Sequence, residues 1–162
     1  MNSTPNNEDA IHLRRAIALA REHMLAGHGG PFGAVIARDG QILGEGWNQV
    51  TTSQDPTAHA EVVAIRAATR NTGSWMLTGA TLYTSCEPCP MCLAAAWWAR
   101  VDRIVFAANR DDAAAAGFDD SALYTEVARP LKDRHLPITN ALPNEGAAVF
   151  QDWLAKEDRV EY

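Results

Sequence analysis

The feature that most constrains this chain is a cluster of three cysteines within seven positions: Cys86, Cys89 and Cys92. The triplet His59-Ala60-Glu61 lies well upstream of them. One imidazole and two thiolates are ligands that Zn²⁺ takes in proteins, and a catalytic zinc keeps its fourth position open for water. The fold must therefore bring two distant segments to one point, which becomes the predicted reaction centre.

Spacing favours His59, Cys86 and Cys89 as the predicted zinc ligands. Cys86 and Cys89 lie three positions apart, and residues three or four apart share one face of a helix. A helix that begins near Pro88 would bring both sulfurs toward one point, since proline suits the first helical position. The positive end of that helix and the metal both favour the thiolates. Glu61, two residues past the histidine, is the predicted acid/base.

Other interpretations of the cysteines stay open at this stage. A C-x-x-C pair alone also occurs in redox proteins and in structural zinc sites. A closed structural zinc would need a fourth ligand, and Cys92, one helical turn past Cys89, could supply it. The same spacing fits a core position, where free cysteines commonly lie, and we favour that interpretation of Cys92. H-x-E combined with P-C-x-x-C is typical of zinc deaminases that act on nucleobases, which favours catalysis.

Composition narrows the class of protein. The chain has 162 residues, 47% hydrophobic and 21% charged, which fits one soluble globular domain over 1–162. Residues 1–9 are polar and acidic, and no apolar run approaches the ~18 residues of a membrane span. We therefore expect no leader, no membrane partner and a cytoplasmic location. Three clustered cysteines also fit a reducing compartment with a metal better than a disulfide framework.

The charge balance bears on the substrate. The chain has 14 basic and 20 acidic residues and a net charge of −6, whereas a nucleic-acid surface would show clustered Lys and Arg. We therefore expect a small, roughly neutral substrate and no nucleic-acid partner. The four remaining histidines have no ligand-like neighbours, which indicates surface or helix positions. They are His12, His23, His28 and His135.

Hydrophobic periodicity predicts an α/β protein. A helix over 8–26 precedes two short strands, which meet at Asp39-Gly40, a strong hairpin signal. A second helix, over 58–71, carries His59 and Glu61 in its first turn. This alternation implies a sheet with helices on both faces. The later predicted elements are a strand at 81–84, the cysteine helix to about residue 99, a buried strand at 101–108, helical segments at 111–116 and 121–128, a strand near Ile138 and a helix over 145–156.

Several segments together resemble the cytidine deaminase superfamily and, within it, the bacterial guanine deaminases. The shared zinc motif indicates only the superfamily, whereas the Gly-Phe-Asp-Asp-Ser segment and the closing Glu161-Tyr162 narrow the resemblance to guanine deaminases. The segments that carry it are Gly29 to Ile36, Asn48 with Val50 to Ser53, Asp55 to Glu61, Leu82 to Cys92 and Ala116 to Ser121.

The resemblance implies a three-layer α/β/α cytidine-deaminase-like fold around a five-stranded mixed sheet, with one Zn²⁺ per subunit. It implies hydrolytic deamination of guanine to xanthine and ammonia, a step of purine catabolism, with Glu61 as the proton shuttle. Guanine deaminases of this kind resemble homodimers that exchange C-terminal segments, here residues 145–162. On that likeness Tyr162 would close the partner's pocket.

The resemblance also assigns substrate-binding roles. Asn48 would bind the purine, and Phe32 would pack near the base. Asp120 would read the purine edge, and Glu126 is a weaker candidate for that last role.

Two kinds of rival function remain. Another zinc deaminase, acting on adenosine in tRNA or on a triazine or pyrimidine ring, would have a similar motif, but a tRNA substrate needs an electropositive groove. A non-catalytic structural zinc domain would need a fourth protein ligand and would leave no open coordination position.

Overall fold

A computed structural model of the chain describes residues 7–161. Within these residues no helix combines the length and the apolar character that crossing a bilayer requires. The helices and strands, in chain order, are α1 (Asn7–Leu25), β1 (Gly33–Arg38), β2 (Gln41–Trp47), α2 (Val50–Ser53), α3 (Ala60–Thr72), β3 (Thr81–Cys86), α4 (Pro90–Trp98), β4 (Arg103–Ala108), α5 (Arg110–Ala115), α6 (Ser121–Ala128), a 3-10 helix (Leu131–Asp133) and α7 (Pro143–Ala155).

The strands form one mixed sheet in the order β2-β1-β3-β4. β1 pairs antiparallel with both β2 and β3, whereas β3 and β4 run parallel. Asp39 and Gly40 form the predicted turn between β1 and β2, with φ angles of 52° and 76°. Positive φ at both central residues is what the favoured two-residue hairpin turn requires. The parallel pair needs a crossover connection, which α4 provides.

The central strands are apolar on both faces, because successive side chains of a strand point to opposite sides of a sheet. α3 and α4 cover one face and α1 covers the other, which confirms the predicted three layers. The first core contains Ala34, Ile36 and Leu82 of the sheet with Ala60, Ala64, Ala68 and Ala96 of the helices. The second contains Val35, Ala37 and Tyr83 with Ala16 and Leu19 of α1.

The sheet has four strands within residues 7–161, so the expectation of five is wrong for this part of the chain. The missing strand was predicted near Ile138, which instead lies in an irregular stretch between the 3-10 helix and α7. Ile138 follows Pro137, and a proline cannot donate to a strand ladder. A single apolar residue beside a proline is too weak a pattern to specify a strand.

The prediction that β4 is buried is also wrong. β4 lies at the edge of the sheet, and its Phe106 side chain is 45% exposed. An unbroken apolar run is typical of a strand covered on both faces, but it does not reveal whether a neighbouring strand lies on each side.

A buried acidic residue joins α1 to the sheet. Asp9 is 2% exposed and accepts a hydrogen bond of 3.0 Å from the Tyr83 hydroxyl of β3. Its second oxygen accepts from the Arg103 guanidinium of β4 at 3.1 Å. Asp9 lies in the first turn of α1, where a negative charge favours the positive end of the helix. In the fold its carboxylate also pairs with β3 and β4, so loss of Arg103 would remove the guanidinium that pairs with a buried carboxylate.

Two glycines of β2 allow α3 to lie directly on the strand. A Cβ atom at Gly44 would lie 2.4 Å from the backbone nitrogen of Ala68, and one at Gly46 would lie 2.4 Å from the carbonyl oxygen of Ala60. Neither position has room for a side chain, because backbone atoms of α3 occupy the space. This contact sets the height of α3, the helix that follows His59, above the sheet.

We predict that Gly46→Ala destabilises the protein by about 1–3 kcal/mol, the usual cost of overpacking a core, because its methyl group meets helix backbone. Gly146→Ala is the matched control: apart from its chain neighbours and the backbone of its own helix, no atom lies within 4 Å of the added Cβ, and alanine is the better helix former by about 0.5–1 kcal/mol. Denaturant unfolding measures both changes. Equal midpoints for Gly46→Ala and the unsubstituted chain would contradict the proposed contact.

Residues from Tyr124 onward form a compact unit of their own, separate from the unit that ends at Leu123. This second unit contains most of α6, the 3-10 helix and α7. Much of its large apolar surface is exposed, which is unusual for helices in a folded domain. The exposed apolar residues include Leu136, Leu142, Val149, Phe150, Leu154 and Val160.

Candidate metal centre and adjoining pocket

One group of three metal-ligating side chains lies in the part of the chain that the structure describes: His59, Cys89 and Cys92. Their ligand atoms all lie within 4.8 Å of one another. The Nδ1 atom of His59 is 3.6 Å from the Cys89 sulfur and 3.5 Å from the Cys92 sulfur. Two of the expected zinc ligands, His59 and Cys89, therefore come together as the sequence predicts.

The third member of the group differs from the prediction. The sequence analysis assigned Cys86 to the metal and Cys92 to the core, but the structure places the Cys92 sulfur beside His59. Cys86 lies at the end of β3, and its sulfur donates instead to the carbonyl of Asn109 at 3.6 Å. The physical reason is the start of α4, which begins at Pro90 and not near Pro88, so Cys89 is the N-cap.

The signal that identifies Cys92 was present in the sequence. In the motif P-C-x-x-C a proline immediately precedes the first cysteine, and Pro88 precedes Cys89. The motif therefore falls on Cys89 and Cys92, whereas Cys86 follows a serine. Spacing alone could not separate the two pairs, because Cys86 and Cys89 are also three positions apart.

The side chains of this group lie at the starts of two helices. His59 is the N-cap of α3 and Cys89 is the N-cap of α4, and both have extended backbone angles. Cys92 follows in the first turn of α4. The positive ends of two helices thus lie at the same place, and a helix N-terminus favours negatively charged ligands such as thiolates.

The electrostatics of the three side chains favour a thiolate at Cys89. A hydrogen bond from the Cys92 thiol lowers the pKa of Cys89 to about 4, and His59 adds to this effect. The same interaction raises the pKa of Cys92, which acts as the donor and is fully buried. The hydrogen bond to Cys89 also raises the pKa of His59. Soft sulfur and imidazole donors are a combination that Zn²⁺ prefers, and three protein ligands leave one coordination position open.

Glu61 lies beside this group, in the first turn of α3. Its side chain is buried, with Oε2 3.3 Å from the Cys92 sulfur and Oε1 3.5 Å from the Thr84 hydroxyl. Burial raises the pKa of the Glu61 carboxyl above its usual range. A buried carboxyl with a raised pKa next to a metal-ligating group is a typical arrangement for proton transfer.

A pocket opens over the group and contains most of the predicted site residues. Phe32, Asn48 and Asp120 line it together with Glu61. Cys86 also lines the pocket, although it lies outside the metal-ligating group. The remaining lining residues are His59, Glu87, Cys89, Arg110, Ala113 and Phe118.

Two aromatic rings and one amide shape this pocket. Phe32 and Phe118 meet edge to face, with ring centroids 4.9 Å apart and an interplanar angle of 88°. Asn48 is 8% exposed, and its Oδ1 accepts hydrogen bonds of 3.3 Å from the backbone N–H groups of Gly30 and Val50. Since these bonds engage the oxygen, the amide NH₂ of Asn48 is the group left to donate to a ligand. The sequence analysis did not single out Phe118, although it lies within the Gly-Phe-Asp-Asp-Ser segment.

The two acidic candidates for base recognition have different surroundings. Asp120 lines the pocket, and burial together with the negative charge of Cys89 raises the pKa of its carboxyl. Glu126 belongs to the second unit, where its oxygens contact the His135 ring and the Leu136 backbone N–H, both at 3.1 Å. Tyr162 lies outside the described residues.

Comparisons with known proteins identify one matching family and several similar proteins. Residues 6–108 match the family described as the cytidine and deoxycytidylate deaminase zinc-binding region. The chain is 52% identical to a guanine deaminase of Bacillus subtilis over 150 residues, which are 93% of this chain and 96% of the relative. An X-ray structure of guanine deaminase from Bacillus subtilis matches with a TM-score of 0.92 at 51% identity, covering 97% of this chain and 99% of the other. A tRNA-specific adenosine deaminase of Haemophilus influenzae is 40% identical over 118 residues, 69% of this chain and 68% of the relative.

Proposed function

The chain belongs to the cytidine and deoxycytidylate deaminase family, and from this premise we propose that it hydrolyses guanine to xanthine and ammonia. The observation that carries the proposal is the buried carboxyl of Glu61 beside the His59, Cys89 and Cys92 group. The choice of guanine is supported by the similarity to a guanine deaminase, which extends over nearly the whole chain, well past the residues of the zinc motif.

In this proposal His59, Cys89 and Cys92 hold one zinc ion per chain, and Cys86 does not. A zinc ion at such a site lowers the pKa of water from that of bulk toward ~7, so that hydroxide is available near neutral pH. His59, Cys89 and Glu61 all line the pocket, so the residues that would hold the ion and the proton shuttle lie where a substrate would bind.

Glu61 moves both protons of the reaction. As hydroxide forms, the carboxylate accepts a proton from water and donates it to a ring nitrogen, while the new C–O bond forms at the carbon that carries the exocyclic amine. Glu61 then takes the remaining proton from the newly added hydroxyl group and delivers it to that amine; the C–O bond becomes a carbonyl as the C–N bond breaks, and ammonia leaves. A raised pKa suits this alternation, because a carboxyl that titrates nearer neutral pH can act as both base and acid.

The pocket residues recognise the base. The free amide NH₂ of Asn48 donates to an acceptor on the purine, and the Phe32 and Phe118 rings contact its faces and edge. The Asp120 carboxylate accepts from the N–H groups on the far edge of guanine. We retain Asp120 for this role in preference to Glu126, whose oxygens already have partners in the second unit.

Thr84 positions Glu61 for this work. Its hydroxyl lies 3.5 Å from Glu61 Oε1, and the residue is 1% exposed. We predict that Thr84→Val, which keeps the shape and removes the hydroxyl, lowers kcat about 3- to 10-fold, the equivalent of one hydrogen bond. KM for guanine should stay nearly constant, because Thr84 is not among the residues that line the pocket. Steady-state kinetics on purified protein measure both constants.

Thr84→Ser is the matched control for that prediction. Serine keeps the donor, so it should restore most of kcat, while zinc content should be equal in all three proteins. A Thr84→Val enzyme with unchanged kcat, or one in which KM alone rises, would show that the hydroxyl has no positioning role.

The experiment that tests the function is ammonia release from a panel of substrates, with metal content measured on the same sample. The panel contains guanine, cytosine, a triazine and a tRNA anticodon stem-loop with adenosine at the target position. Turnover of guanine alone supports the proposal. Turnover of the RNA in place of guanine would favour the tRNA-acting relatives, which the net charge of −6 disfavours. Stoichiometric zinc with no ammonia from any substrate would favour a structural zinc domain.

We further propose that residues 1–162 form one deaminase domain of a homodimer, in which residues 145–162 are exchanged and Tyr162 reaches the partner's pocket. The exposed apolar residues of α7 support this proposal, because Val149, Phe150 and Leu154 need a partner surface. A dimer with exchanged C-terminal segments would supply it.

Complementation between two inactive variants tests the exchange. Glu61→Gln removes the proton shuttle, and Tyr162→Ala removes the residue donated to the partner. In an exchanged heterodimer one of the two sites is complete, so a statistical mixture should regain about a quarter of full activity. No regain, in a mixture that light scattering shows to be dimeric, would mean that each chain completes its own pocket.

A cytoplasmic location and a role in purine catabolism belong to the same proposal. All three cysteines are free, which suits a reducing compartment, and free guanine is a product of purine breakdown.

A further inference from the structure

Two histidines, His23 and His28, meet at the C-terminal end of α1. The helix ends in a Schellman motif: the Gly27 N–H bonds to the Met24 carbonyl at 3.0 Å, and the His28 N–H bonds to the His23 carbonyl at 2.8 Å. Gly27 has a φ of 73°, as this motif requires. The motif brings the side chains of its first and last residues together, and here both are imidazoles.

The two rings face each other through the same nitrogen. Nδ1 of His23 lies 3.1 Å from Nδ1 of His28. Two imidazole nitrogens bound to one tetrahedral zinc at 2.0–2.1 Å are about 3.3 Å apart, so only a small adjustment separates the observed pair from a chelating pair. In the absence of metal the same distance suits a hydrogen bond between two neutral rings. A metal ion takes the place of the shared proton, which moves from Nδ1 to Nε2 of the donor ring.

The surroundings hold both histidines in place and leave them accessible. The ring of His23 stacks on the Trp47 indole, with centroids 3.5 Å apart and an interplanar angle of 2°. The carbonyl of His28 accepts a hydrogen bond of 3.1 Å from the Thr52 hydroxyl, and the His28 side chain is exposed to solvent. A rigid pair of donors loses little conformational entropy on binding, which strengthens a two-ligand site.

We propose that His23 and His28 bind one transition-metal ion, such as Zn²⁺, Ni²⁺ or Cu²⁺, at a second site that is separate from the His59, Cys89 and Cys92 group. Imidazole is the ligand that these ions share, and water completes their coordination. The ion connects the end of α1 to the loop that follows His28. That loop lies against Asn48, since the Gly30 N–H bonds to Asn48 Oδ1 and a Cβ at Gly29 would lie 1.8 Å from the Asn48 carbonyl oxygen.

The test uses zinc-loaded protein, so that the first site is already filled, and titrates it with Cu²⁺. The unsubstituted protein should bind one further ion per chain, with nitrogen hyperfine couplings from two imidazoles in its electron paramagnetic resonance spectrum. His23→Gln and His28→Gln should each weaken this binding on the order of tenfold or more, because the second ligand of a chelate acts at high effective concentration. His135→Gln is the matched control, as an exposed histidine outside the pair.

Hydrogen exchange provides the second measurement. Bound Ni²⁺ should slow exchange at the amides of Gly29 and Gly30 in the unsubstituted protein and in His135→Gln, but not in His28→Gln. Equal metal affinity in all four proteins, or copper spectra with a single nitrogen ligand, would overturn the proposal. Activity toward guanine is not the readout, so failure of the proposed function and failure of this site are distinguishable.

Discussion

Glu61→Gln should lower kcat for guanine about 10²- to 10⁴-fold, the usual contribution of a general acid and base, while zinc remains bound. The amide keeps the size of the carboxyl and can still contact the Cys92 sulfur and the Thr84 hydroxyl. It cannot accept the proton of water or deliver one to the leaving amine. Both kcat and kcat/KM should therefore fall together, because the lost interaction belongs to the transition state.

The measurements are single-turnover kinetics and zinc content on the same preparation. Glu87→Gln is a useful control, since Glu87 lines the same pocket but accepts a hydrogen bond of 3.2 Å from the Arg110 backbone N–H. Glu87→Gln should keep its zinc and should lose much less activity than Glu61→Gln. If Glu61→Gln kept near-normal turnover, the proton-transfer role would have to be assigned elsewhere.

The second prediction with a large expected effect distinguishes between two overlapping cysteine pairs, Cys86 with Cys89 and Cys89 with Cys92. Cys92→Ala should lose zinc and activity together, whereas Cys86→Ala should keep both, because only Cys92 lies in the group with His59 and Cys89. Loss of a residue that only hydrogen-bonds to a metal ligand already weakens metal binding about 10- to 100-fold, so loss of a ligand itself should weaken it more. Metal content after dialysis against a weak chelator measures the difference.

Cobalt provides a check that does not depend on activity. The thiolate-to-cobalt absorption should correspond to two sulfurs in the unsubstituted protein and in Cys86→Ala, and to one in Cys92→Ala. Cys92 is fully buried, so circular dichroism must first show that Cys92→Ala is folded. Zinc loss in Cys86→Ala with zinc retained in Cys92→Ala would restore the ligand set expected from spacing and overturn the one proposed from geometry.

Much of the fold was predictable because its signals are local. The Asp39-Gly40 hairpin, the end of the helix predicted over 58–71 and the apolar run of β4 are each specified by a few neighbouring residues, and each forms near its predicted position. The family resemblance supplied the three-layer arrangement, which the match to a solved guanine deaminase confirms. The edge position of β4 was not predictable in this way, because a strand's neighbours depend on residues far away in the sequence.

At the metal group, spacing in the sequence and geometry in the structure favour different cysteines. Pro88 and Pro90 both satisfy the preference for proline at a helix start, and the choice between them decides which cysteines flank the first turn. The sequence analysis chose the earlier proline and so selected Cys86. Contacts between distant segments, such as the one between Phe32 and Phe118, depend on packing that no local pattern specifies.

The direct contact between β2 and α3 has a consequence for attempts to engineer a new substrate range. Gly46 rests on the Ala60 backbone, and Asn48 and Glu61 follow these residues by two positions and one. The separation of the amide and the carboxylate is thus determined by main-chain atoms, which substitution of side chains in the core cannot adjust. Libraries aimed at other ring systems should therefore diversify Phe118 and its neighbours, and leave the strand and helix unaltered.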